Sequence, residues 1–253
     1  MSLMSSALVP SGLVDALRKA RRVAILTGAG ISAESGIPTF RDALTGLWAR
    51  FNPEELATPE AFQRDPKLVW EWYAHRRELV ERVEPNAAHR ALVTMEQHVP
   101  KLTLITQNVD GLHQRAGSQN VLELHGNLAR VRCFHENTVI PSWEDTGEVP
   151  PRCPDCGGPL RPDVVWFGEN LPADAFEKAV EAAAQCDLFF SIGTSGVVEP
   201  AASLTRLARQ MGATVALINL DVEPRDVPPL YQIHGKAGTI LPELVQRAWP
   251  ERT

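Results

Sequence analysis

Residues 23–36 read VAILTGAGISAESG, an apolar run that passes directly into a glycine-rich turn. The apolar run, Val23–Thr27, predicts a strand buried on both faces of a parallel sheet. The turn satisfies the G-x-G-x-x-G/A pattern through Gly28, Gly30 and Ala33, at the end of a first strand and the predicted start of a helix. Such glycines let the backbone approach a pyrophosphate, whose charge the helix N-terminus stabilises. The stretch therefore predicts a Rossmann-like fold that binds a nucleotide.

The same turn has a second interpretation, and the chain after it departs from the usual pattern. Taken alone, the glycines are also typical of a turn that is packed tightly for its own sake. A dinucleotide fold normally continues into a second strand that ends in an acidic residue about 20 residues later. Here residues 38–42 read PTFRD and lead into a stretch without a convincing strand. The sequence therefore disfavours an ordinary hydride-transfer dehydrogenase.

Strand and helix patterns alternate along most of the remaining chain. Near-continuous apolar runs predict further strands at Leu102–Thr106, Val121–Leu124, Leu188–Ile192 and Val215–Leu220. Helical periodicity predicts helices at Ser11–Ala20, Asp174–Gln185, Pro200–Met211 and Leu241–Trp249. The alternation predicts an α/β fold built on a doubly wound parallel sheet.

Two insertions interrupt this alternation and are expected to form a smaller domain. The first holds no convincing strand, and Asp65 followed by Pro66 predicts the N-cap and first residue of a helix that runs until Pro85. The second is rich in proline, cysteine and charge. We assign residues 39–85 to a helical module and residues 127–161 to a zinc-type module. The Rossmann-like domain then comprises residues 8–38, 86–126 and 162–253.

The composition disfavours several classes of protein. Of 253 residues, 44% are hydrophobic and 22% are charged, and a net charge of −6 leaves no basic field for nucleic acid or an anionic membrane. No apolar run approaches the roughly 20 residues of a membrane-spanning helix. The first residues, MSLMSSALVPSG, lack the pattern of a secretory signal, and four cysteines do not suggest a disulfide scaffold. We therefore expect a reducing, cytoplasmic location.

Polar side chains follow two of the predicted strands, at the edge where such sheets bind ligands. Gln107, Asn108 and Asp110 come directly after one strand, and amide and carboxylate groups there can bind a ribose and a carboxamide. The same residue types are also typical of a capped loop. His125 follows the next strand, and its ordinary pKa of about 6.5 suits a general base near neutral pH, although a lone histidine is more often structural.

Seven segments of the chain resemble, in order, the motifs of the sirtuin family. They are GAGISAESGIPTFR (28–41), TQNVDGLH (106–113), LHG (124–126), VVWFGE (164–169), GTSGVVEPA (193–201), INLD (218–221) and GKAGTILPEL (235–244). The resemblance extends from about Leu8 to Trp249. No single motif is decisive, but their number and order make chance agreement negligible.

The resemblance implies that NAD and an acyl-lysine protein or peptide meet in a cleft between a large and a small domain. One group of residues matches those that bind NAD around its nicotinamide end: Ala29, Ser32, Phe40, Arg41, Gln107, Asn108 and Asp110. A second group matches contacts to the phosphates, ribose and adenine: Gly193, Thr194, Ser195, Asn219 and Ala237.

The implied reaction removes an acyl group from a protein lysine and gives nicotinamide, O-acyl-ADP-ribose and free lysine. The match makes His125 the catalytic base that acts on a ribose hydroxyl. Asn108 is expected beside it as a catalytic residue, because Asn108 and Asp110 can hold the nicotinamide amide and favour its departure. NAD is consumed in this reaction, which agrees with the missing acidic residue of hydride-transfer enzymes.

The acyl group and the peptide each have candidate contacts. Tyr73 and Arg76 stand at i and i+3 of the predicted helix, which matches the Tyr-x-x-Arg pattern of desuccinylase-type (class III) sirtuins and indicates a preference for succinyl- or malonyl-lysine. Thr39 replaces the Asp usual in deacetylase-type members. The alternative is a solvated arginine on an exposed helix. Two extended segments are expected to bind the peptide as an added strand, through Val165, Phe167, Gly168, Glu169 and Val197. For Val164 and Val165 individually, an ordinary core strand and loop is the alternative.

Three cysteines have the spacing of a zinc site, but a fourth ligand is missing. Cys153 and Cys156 form a C-x-x-C pair, and Cys133 lies 20 residues before it. Sirtuins generally have a second such pair, but here position 136 is Glu136. Zinc accepts carboxylate or imidazole, so Glu136 or His135 completes the site in one interpretation. In the other, packing alone holds the module.

Two rival functions share many of these features. An NAD-consuming protein ADP-ribosyltransferase would use the same cleft and His125, and would differ in its products. A non-enzymatic NAD-sensing protein would have no need of a base, so the presence of Asn108, Asp110 and His125 argues against it.

Overall fold

A computed structural model of the chain describes residues 9–38, 53–143 and 146–250. The predictions made for Thr39, Phe40 and Arg41 lie outside these residues. The described strands are β1 Arg22–Thr27, β2 Lys101–Thr106, β3 Val121–Glu123, β4 Gly126–Cys133, β5 Val139–Ile140, β6 Leu160–Val164, β7 Leu188–Ile192, β8 Thr214–Asn219, β9 Arg225–Val227 and β10 Leu230–His234. The described α-helices are α1 Ser11–Lys19, α2 Pro53–Leu56, α3 Pro59–Arg64, α4 Pro66–Glu81, α5 Ala87–His98, α6 Leu112–Ala116, α7 Ala173–Gln185, α8 Ser203–Gln210 and α9 Ala237–Ala248.

The larger sheet has the predicted Rossmann-like form. Its strands lie in the order β3-β2-β1-β7-β8-β10-β9, and all neighbouring pairs are parallel except β9 with β10. The five strands predicted from apolar runs are β1, β2, β3, β7 and β8, so those predictions are confirmed to within one or two residues at each end.

Helices cover both faces of this sheet, because alternate residues of each central strand point to opposite sides. Ile25 belongs to an apolar cluster shared with α1, α5 and α9, whereas the next residue, Leu26, belongs to a cluster shared with α7 and α8. Both side chains are fully buried. Burial on both faces explains why the strand sequences are apolar throughout rather than alternating.

The second sheet is small, with the order β5-β4-β6, and it shares an apolar cluster with the helical insertion. Phe62 of α3, Tyr73 of α4, Leu128 of β4 and Trp166 after β6 are all buried in this cluster. The two insertions therefore pack on each other. The exact domain boundaries given above stay predictions.

Helix α4 begins where the sequence predicts it. Pro66 is its first residue, and Asp65 Oδ1 accepts a hydrogen bond of 3.0 Å from the amide of Leu68. The helix ends at Glu81, four residues before Pro85. Two other helices differ more at their ends: α8 begins at Ser203 rather than Pro200, and α9 begins at Ala237 rather than Leu241.

The helix predicted to begin in the glycine-rich turn does not form in the described residues. Two short 3-10 turns, Ala29–Ile31 and Ala33–Ser35, follow β1 instead, and so the predicted stabilisation of a phosphate by a helix N-terminus at this turn is wrong. The reason is tertiary: Asn86 Nδ2 donates to the carbonyl of Ile31 and to Ser35 Oγ, at 2.8 and 3.0 Å, and fixes the turns from α5. None of the described helices combines the length and apolar character needed to cross a lipid bilayer.

Candidate active site

The candidate active site lies where several parallel strands of the large sheet end. Pairing of β1 with β2 and β7 places Thr27 beside Thr106 on one side and Ile192 on the other. β3 extends the sheet beyond β2, and His125 follows β3 by two residues. The topology thus brings the glycine-rich turn, residues 107–113 and His125 to one edge, as expected for a ligand site in this fold.

Gly28 and Gly30 contact the loop after β7 more closely than a side chain would permit. The amide of Gly30 donates to the carbonyl of Gly193 at 2.9 Å, and the amide of Gly28 donates to the carbonyl of Ile192 at 3.0 Å. A Cβ atom on Gly30 would lie 2.7 Å from Cα of Gly193. The tight packing accounts for both glycines without a ligand, so their predicted contact with a pyrophosphate stays a prediction. Ala29 and Ala33 lie in the two 3-10 turns that follow.

Ser32, Asn108 and Asp110 form one hydrogen-bonded network beside the glycine-rich turn. Ser32 Oγ donates to Asp110 Oδ2 at 2.7 Å, and Asn108 Nδ2 donates to Ser32 Oγ and to the carbonyl of Gly28, both at 3.1 Å. Asp110 Oδ1 accepts from the amide of Leu112 at 2.9 Å. Burial raises the pKa of Asp110, while the hydrogen bonds from Ser32 and Leu112 oppose that rise. The network fixes the orientation of the Asn108 carboxamide.

A second series of side-chain hydrogen bonds is connected to this network through Asn108 and was not predicted from the sequence. Thr27 Oγ1 donates to Thr106 Oγ1 at 2.9 Å, and Thr106 Oγ1 also accepts from the amide of Asn108 at 3.0 Å. Because the Thr27 hydrogen is used, its oxygen accepts from His113 Nε2, 2.9 Å away. The ring of His113 lies against that of His89, with centroids 4.9 Å apart. These hydrogen bonds link Thr106, at the end of β2, to the buried side chain of His113.

His125 is held by its backbone and by its ring. Nδ1 lies 2.9 Å from the carbonyl oxygen of Gln107, and a carbonyl can only accept, so Nδ1 carries the hydrogen and Nε2 carries the lone pair. The carbonyl of His125 accepts from the amide of Val165 at 2.9 Å. Burial lowers the pKa of His125 below its ordinary 6.5, and the hydrogen bond to Gln107 acts in the opposite direction. At neutral pH the ring is therefore an uncharged base.

The residues matched to the far end of NAD come together around the loop after β7. Asn219 Nδ2 donates to the carbonyl of Thr194 at 2.7 Å, and Thr194 Oγ1 lies 3.0 Å from Ser191 Oγ. Ser195 Oγ accepts a long hydrogen bond of 3.5 Å from the amide of Val197. Ala237 is the first residue of α9. The structure brings these predicted residues to one side of the glycine-rich turn, whereas their contact with a ligand is not tested.

Tyr73 lies in the interior, and Arg76, one helical turn later, is half-buried. Tyr73 is buried, and its Oη accepts from Trp166 Nε1 at 3.0 Å. Arg76 is half-buried, with its guanidinium carbon 5.0 Å from the centroid of the Trp72 ring. Burial raises the pKa of Tyr73 to about 12 and lowers the pKa of Arg76. Arg76 is partly exposed, so its role in binding the acyl group stays a prediction.

The segment predicted to bind peptide is only partly extended. β6 ends at Val164, and Phe167 to Glu169 form a turn whose Phe167 side chain is exposed. Glu169 forms an ion pair with Arg161 and accepts from the amide of Trp166 at 2.8 Å, so its carboxylate is committed to the protein. Val197, in the facing predicted segment, is 65% exposed. Sequence reasoning missed Arg161 and Trp166, because neither stands in a periodic pattern that signals its partner.

The three cysteines predicted to bind zinc lie together. The Sγ atoms of Cys133, Cys153 and Cys156 are within 4.8 Å of one another. The amide of Glu136 donates to Cys133 Sγ, at 3.4 Å. Three clustered thiols suit zinc, which thiolates bind well. Within the part of the chain that the structure describes, neither His135 nor Glu136 joins this group of donor atoms, and both are exposed.

Comparison with known proteins gives one consistent result. The model of the Sir2 family matches residues 28–200. The chain is 51% identical to an NAD-dependent protein deacylase 1 of Pseudomonas aeruginosa over 246 residues, which cover 94% of this chain and 98% of the relative. It is 52% identical to an NAD-dependent protein deacylase 2 of Pyrobaculum aerophilum over 236 residues, covering 92% and 94%.

Solved structures agree with the sequence relatives. A Sir2 homologue in complex with NAD superposes with a TM-score of 0.84 at 44% identity, and the match covers 95% of this chain and 94% of that one. A Sir2 protein bound to an acetylated peptide superposes with a TM-score of 0.81 at 31% identity, covering 93% and 96%. Both similarities extend over nearly the whole chain.

Proposed function

The chain belongs to the Sir2 family and is an NAD-dependent protein deacylase. On that premise, we propose that it removes acyl groups from lysine side chains with a preference for the acidic groups succinyl and malonyl. His125 is the base of this reaction, and Tyr73 with Arg76 selects the acyl group. The products are nicotinamide, O-acyl-ADP-ribose and free lysine.

The proposed role of His125 as a base is supported mainly by its hydrogen bond to the carbonyl of Gln107. It places the proton on Nδ1 and leaves Nε2 as the acceptor, and burial keeps the ring uncharged at neutral pH. A base in this state can take a proton from a ribose hydroxyl, which makes the hydroxyl oxygen a nucleophile. NAD, as cosubstrate, supplies the ribose whose hydroxyl is activated and whose nicotinamide leaves.

Asn108 positions the nicotinamide end of the cosubstrate in this proposal. Its amide hydrogens are used by Ser32 and Gly28, so its side-chain orientation is fixed before any ligand binds. Its Oδ1 atom can then accept a hydrogen bond from the amide N–H of nicotinamide at little cost in conformational entropy. Asp110 supports this arrangement through Ser32 rather than standing alone.

The acidic acyl preference is supported by the chemistry of Tyr73 and Arg76. Both lie on α4, one helical turn apart; Tyr73 is buried and Arg76 is half-buried. A half-buried guanidinium beside a phenol favours a carboxylate ligand, because an anion offsets the desolvated positive charge and accepts hydrogen bonds from both groups. An acetyl group ends in a methyl group and has no carboxylate to offer to either side chain.

Zinc, where it binds, has a structural role in this proposal. Cys133 ends β4, and Cys153 and Cys156 lie in the turn before β6, so a metal held by these three thiolates would join two segments of the small sheet.

A deacylation panel tests the acyl preference. Acetyl-, malonyl- and succinyl-lysine forms of one peptide are compared on wild type, Arg76→Met and the matched control Arg77→Met. Arg77 is the next residue on the helix and stacks on Trp70 instead, 4.7 Å from its centroid. Loss of a charged hydrogen bond predicts a fall in kcat/KM for succinyl peptide of about ten- to hundredfold in Arg76→Met, with acetyl peptide little changed.

Two outcomes would contradict the proposal. Equal kcat/KM of the wild type on acetyl and succinyl peptides, unchanged by Arg76→Met, removes the acyl preference but leaves the deacylase activity. Mass spectrometry that finds ADP-ribosylated protein in place of O-acyl-ADP-ribose would instead favour a protein ADP-ribosyltransferase.

A further inference from the structure

We propose that Trp166 is a positioning residue for acyl-group selection, because its indole N–H turns the Tyr73 hydroxyl hydrogen towards the carboxylate of an acidic acyl group. This inference rests on the proposed preference for succinyl and malonyl groups. Trp166 itself is buried, and its indole N–H is committed to Tyr73, so in this proposal it acts on the acyl group through Tyr73.

The direction of the hydrogen bond follows from the chemistry of the two groups. Trp166 Nε1 lies 3.0 Å from Tyr73 Oη, and an indole nitrogen can only donate. The phenol oxygen is therefore the acceptor, and its own hydrogen is directed away from the indole. A phenol held in this way presents a donor to the acyl pocket, and a carboxylate is the ligand that makes most use of a donor.

The protonation state of Tyr73 is consistent with a donor role. Burial raises the pKa of the phenol to about 12, so the hydroxyl keeps its hydrogen throughout the physiological range. The positive charges of Arg76 and Arg161 act against this rise but do not cancel it. Arg76 can supply the charge that attracts the ligand, while Tyr73 supplies a neutral, directed hydrogen bond.

The indole is itself held from its other face. The guanidinium carbon of Arg161 lies 3.3 Å from the centroid of the Trp166 ring, and Arg161 is paired with Glu169. Glu169 also accepts from the backbone amide of Trp166 at 2.8 Å. The attraction between the cation and the ring face holds the indole in one orientation. The Arg161–Glu169 ion pair therefore has a function beyond stability in this proposal, since it fixes the residue that orients Tyr73.

Packing alone does not account for a tryptophan at this position. Phe62 lies against Trp166 with ring centroids 5.4 Å apart, and the surrounding cluster is apolar. A phenylalanine at position 166 would fill much of the same space and still stack with Arg161. What it would lack is the donor to Tyr73, and the phenol would then be free to rotate its hydrogen into other orientations.

The test is Trp166→Phe, measured on acetyl and succinyl forms of one peptide with kcat and KM determined separately. Loss of one oriented hydrogen bond predicts a rise in KM for succinyl peptide of about three- to tenfold, with kcat and the acetyl KM little changed. In a Tyr73→Phe background the same substitution should have no further effect. Trp70→Phe, the same change at a buried tryptophan of α4 that stacks on Arg77, is the control and should leave both peptides unaffected.

The outcomes separate this inference from the proposal beneath it. A wild type without preference for succinyl peptide overturns the acyl preference, whatever Trp166→Phe does. A wild-type preference that persists in Trp166→Phe, or an equal rise of KM for both peptides, overturns the role of Trp166 alone. If Trp166→Phe does not fold, indole ¹⁵N–¹H spectra of wild type and Tyr73→Phe replace it. Loss of the acceptor must shift one of the six indole resonances, and unchanged spectra overturn the inference.

Discussion

The carbonyl oxygen of Gln107 lies 2.9 Å from Nδ1 of His125, and this contact joins the ends of two neighbouring strands. Gln107 follows β2 directly, and His125 follows β3, which pairs with β2 in parallel register. The tautomer of His125 is therefore set by the sheet itself. A side chain on a mobile loop could not hold the proton on one nitrogen so consistently.

Replacement of His125 by alanine is expected to abolish most of the deacylation. General-base catalysis contributes about 10²- to 10⁴-fold to a rate, so kcat for release of free lysine peptide should fall by that factor. Because His125 is only half-buried, the thermal unfolding midpoint of the variant should differ little from that of the wild type. A variant that keeps full kcat would show that another group is the base.

The pH dependence of catalysis should follow the lowered pKa of His125. Burial holds this pKa below 6.5, and only the neutral ring can accept a proton. On the acid side, log kcat/KM is therefore expected to be flat down to below pH 6.5 and to fall at still lower pH. A steady-state profile on a peptide without groups that titrate in this range measures it. An acid limb centred above pH 6.5 would contradict the assignment.

Acid should destabilise the fold through the buried pair His89 and His113. Burial lowers the pKa of His89 to about 4 and that of His113 to about 3, so between these values and 6.5 the unfolded state binds more protons than the folded one. The free energy of unfolding then rises with pH across this window and falls as the pH is lowered. Within the described residues, His113 Nδ1 and His89 Nε2 have no hydrogen-bond partner, so a second N–H on the His113 ring would find no acceptor.

Urea denaturation at pH 5 and pH 7 measures this effect. His113→Gln, which keeps a donor for Thr27, should show a smaller difference between the two pH values than the wild type. His234→Gln, at an exposed histidine of β10, is the control. An unchanged difference in His113→Gln would contradict the prediction.

Gly126→Ala is expected to be among the most destabilising single substitutions in the chain. Gly126 has φ +80, and a Cβ atom there would lie 2.0 Å from the carbonyl oxygen of Asp163, so β4 and β6 would have to separate. The combined strain and clash should lower the free energy of unfolding by more than about 3 kcal/mol. Gly212→Ala, with φ +91 and no atom within 4 Å of its Cβ position, isolates the backbone term and should cost about 1 kcal/mol. Similar losses in both variants would show that the contact with Asp163 relaxes.

Glu136→Cys should strengthen zinc binding. The substitution adds a fourth thiol three residues after Cys133, whose Sγ already accepts from the amide of residue 136. Zinc content after dialysis against a chelator should be higher than in the wild type, and added zinc should raise the thermal midpoint more. Glu148→Cys, an exposed position in the same module, is the control. Equal zinc retention in the wild type and Glu136→Cys would show that three thiols suffice or that no metal binds.

The sequence predicted the large sheet well because each of its central strands is apolar on both faces. Val23–Thr27 and Leu188–Ile192 are short, continuous runs whose burial requires covering helices on both sides. The glycine-rich turn was predicted less well. Its pattern indicates a tight turn but does not reveal that Asn86, more than 50 residues later, holds the turns in place of a helix.

The sequence indicates candidate residues whose own side-chain type suggests the chemistry. It does not indicate residues whose role depends on a contact with a distant residue. His125 and Tyr73 are recognisable by type and position. The hydrogen bond between Trp166 and Tyr73 joins residues that are 93 positions apart. The stacking of Arg161 on Trp166 depends on the fold of the small sheet. No local periodicity signals such pairs, because they are selected by tertiary packing.

Strand β4 connects the candidate active site to the cysteine cluster, and its length limits how one site can affect the other. It begins at Gly126, next to the proposed base His125, and ends at Cys133, whose thiol belongs to the cysteine cluster. Eight residues of strand span about 23 Å. This is more than twice the Debye screening length of about 8 Å in physiological salt. We therefore expect a metal at Cys133 to act on His125 mainly by keeping the strand in register, and only weakly through its electric field.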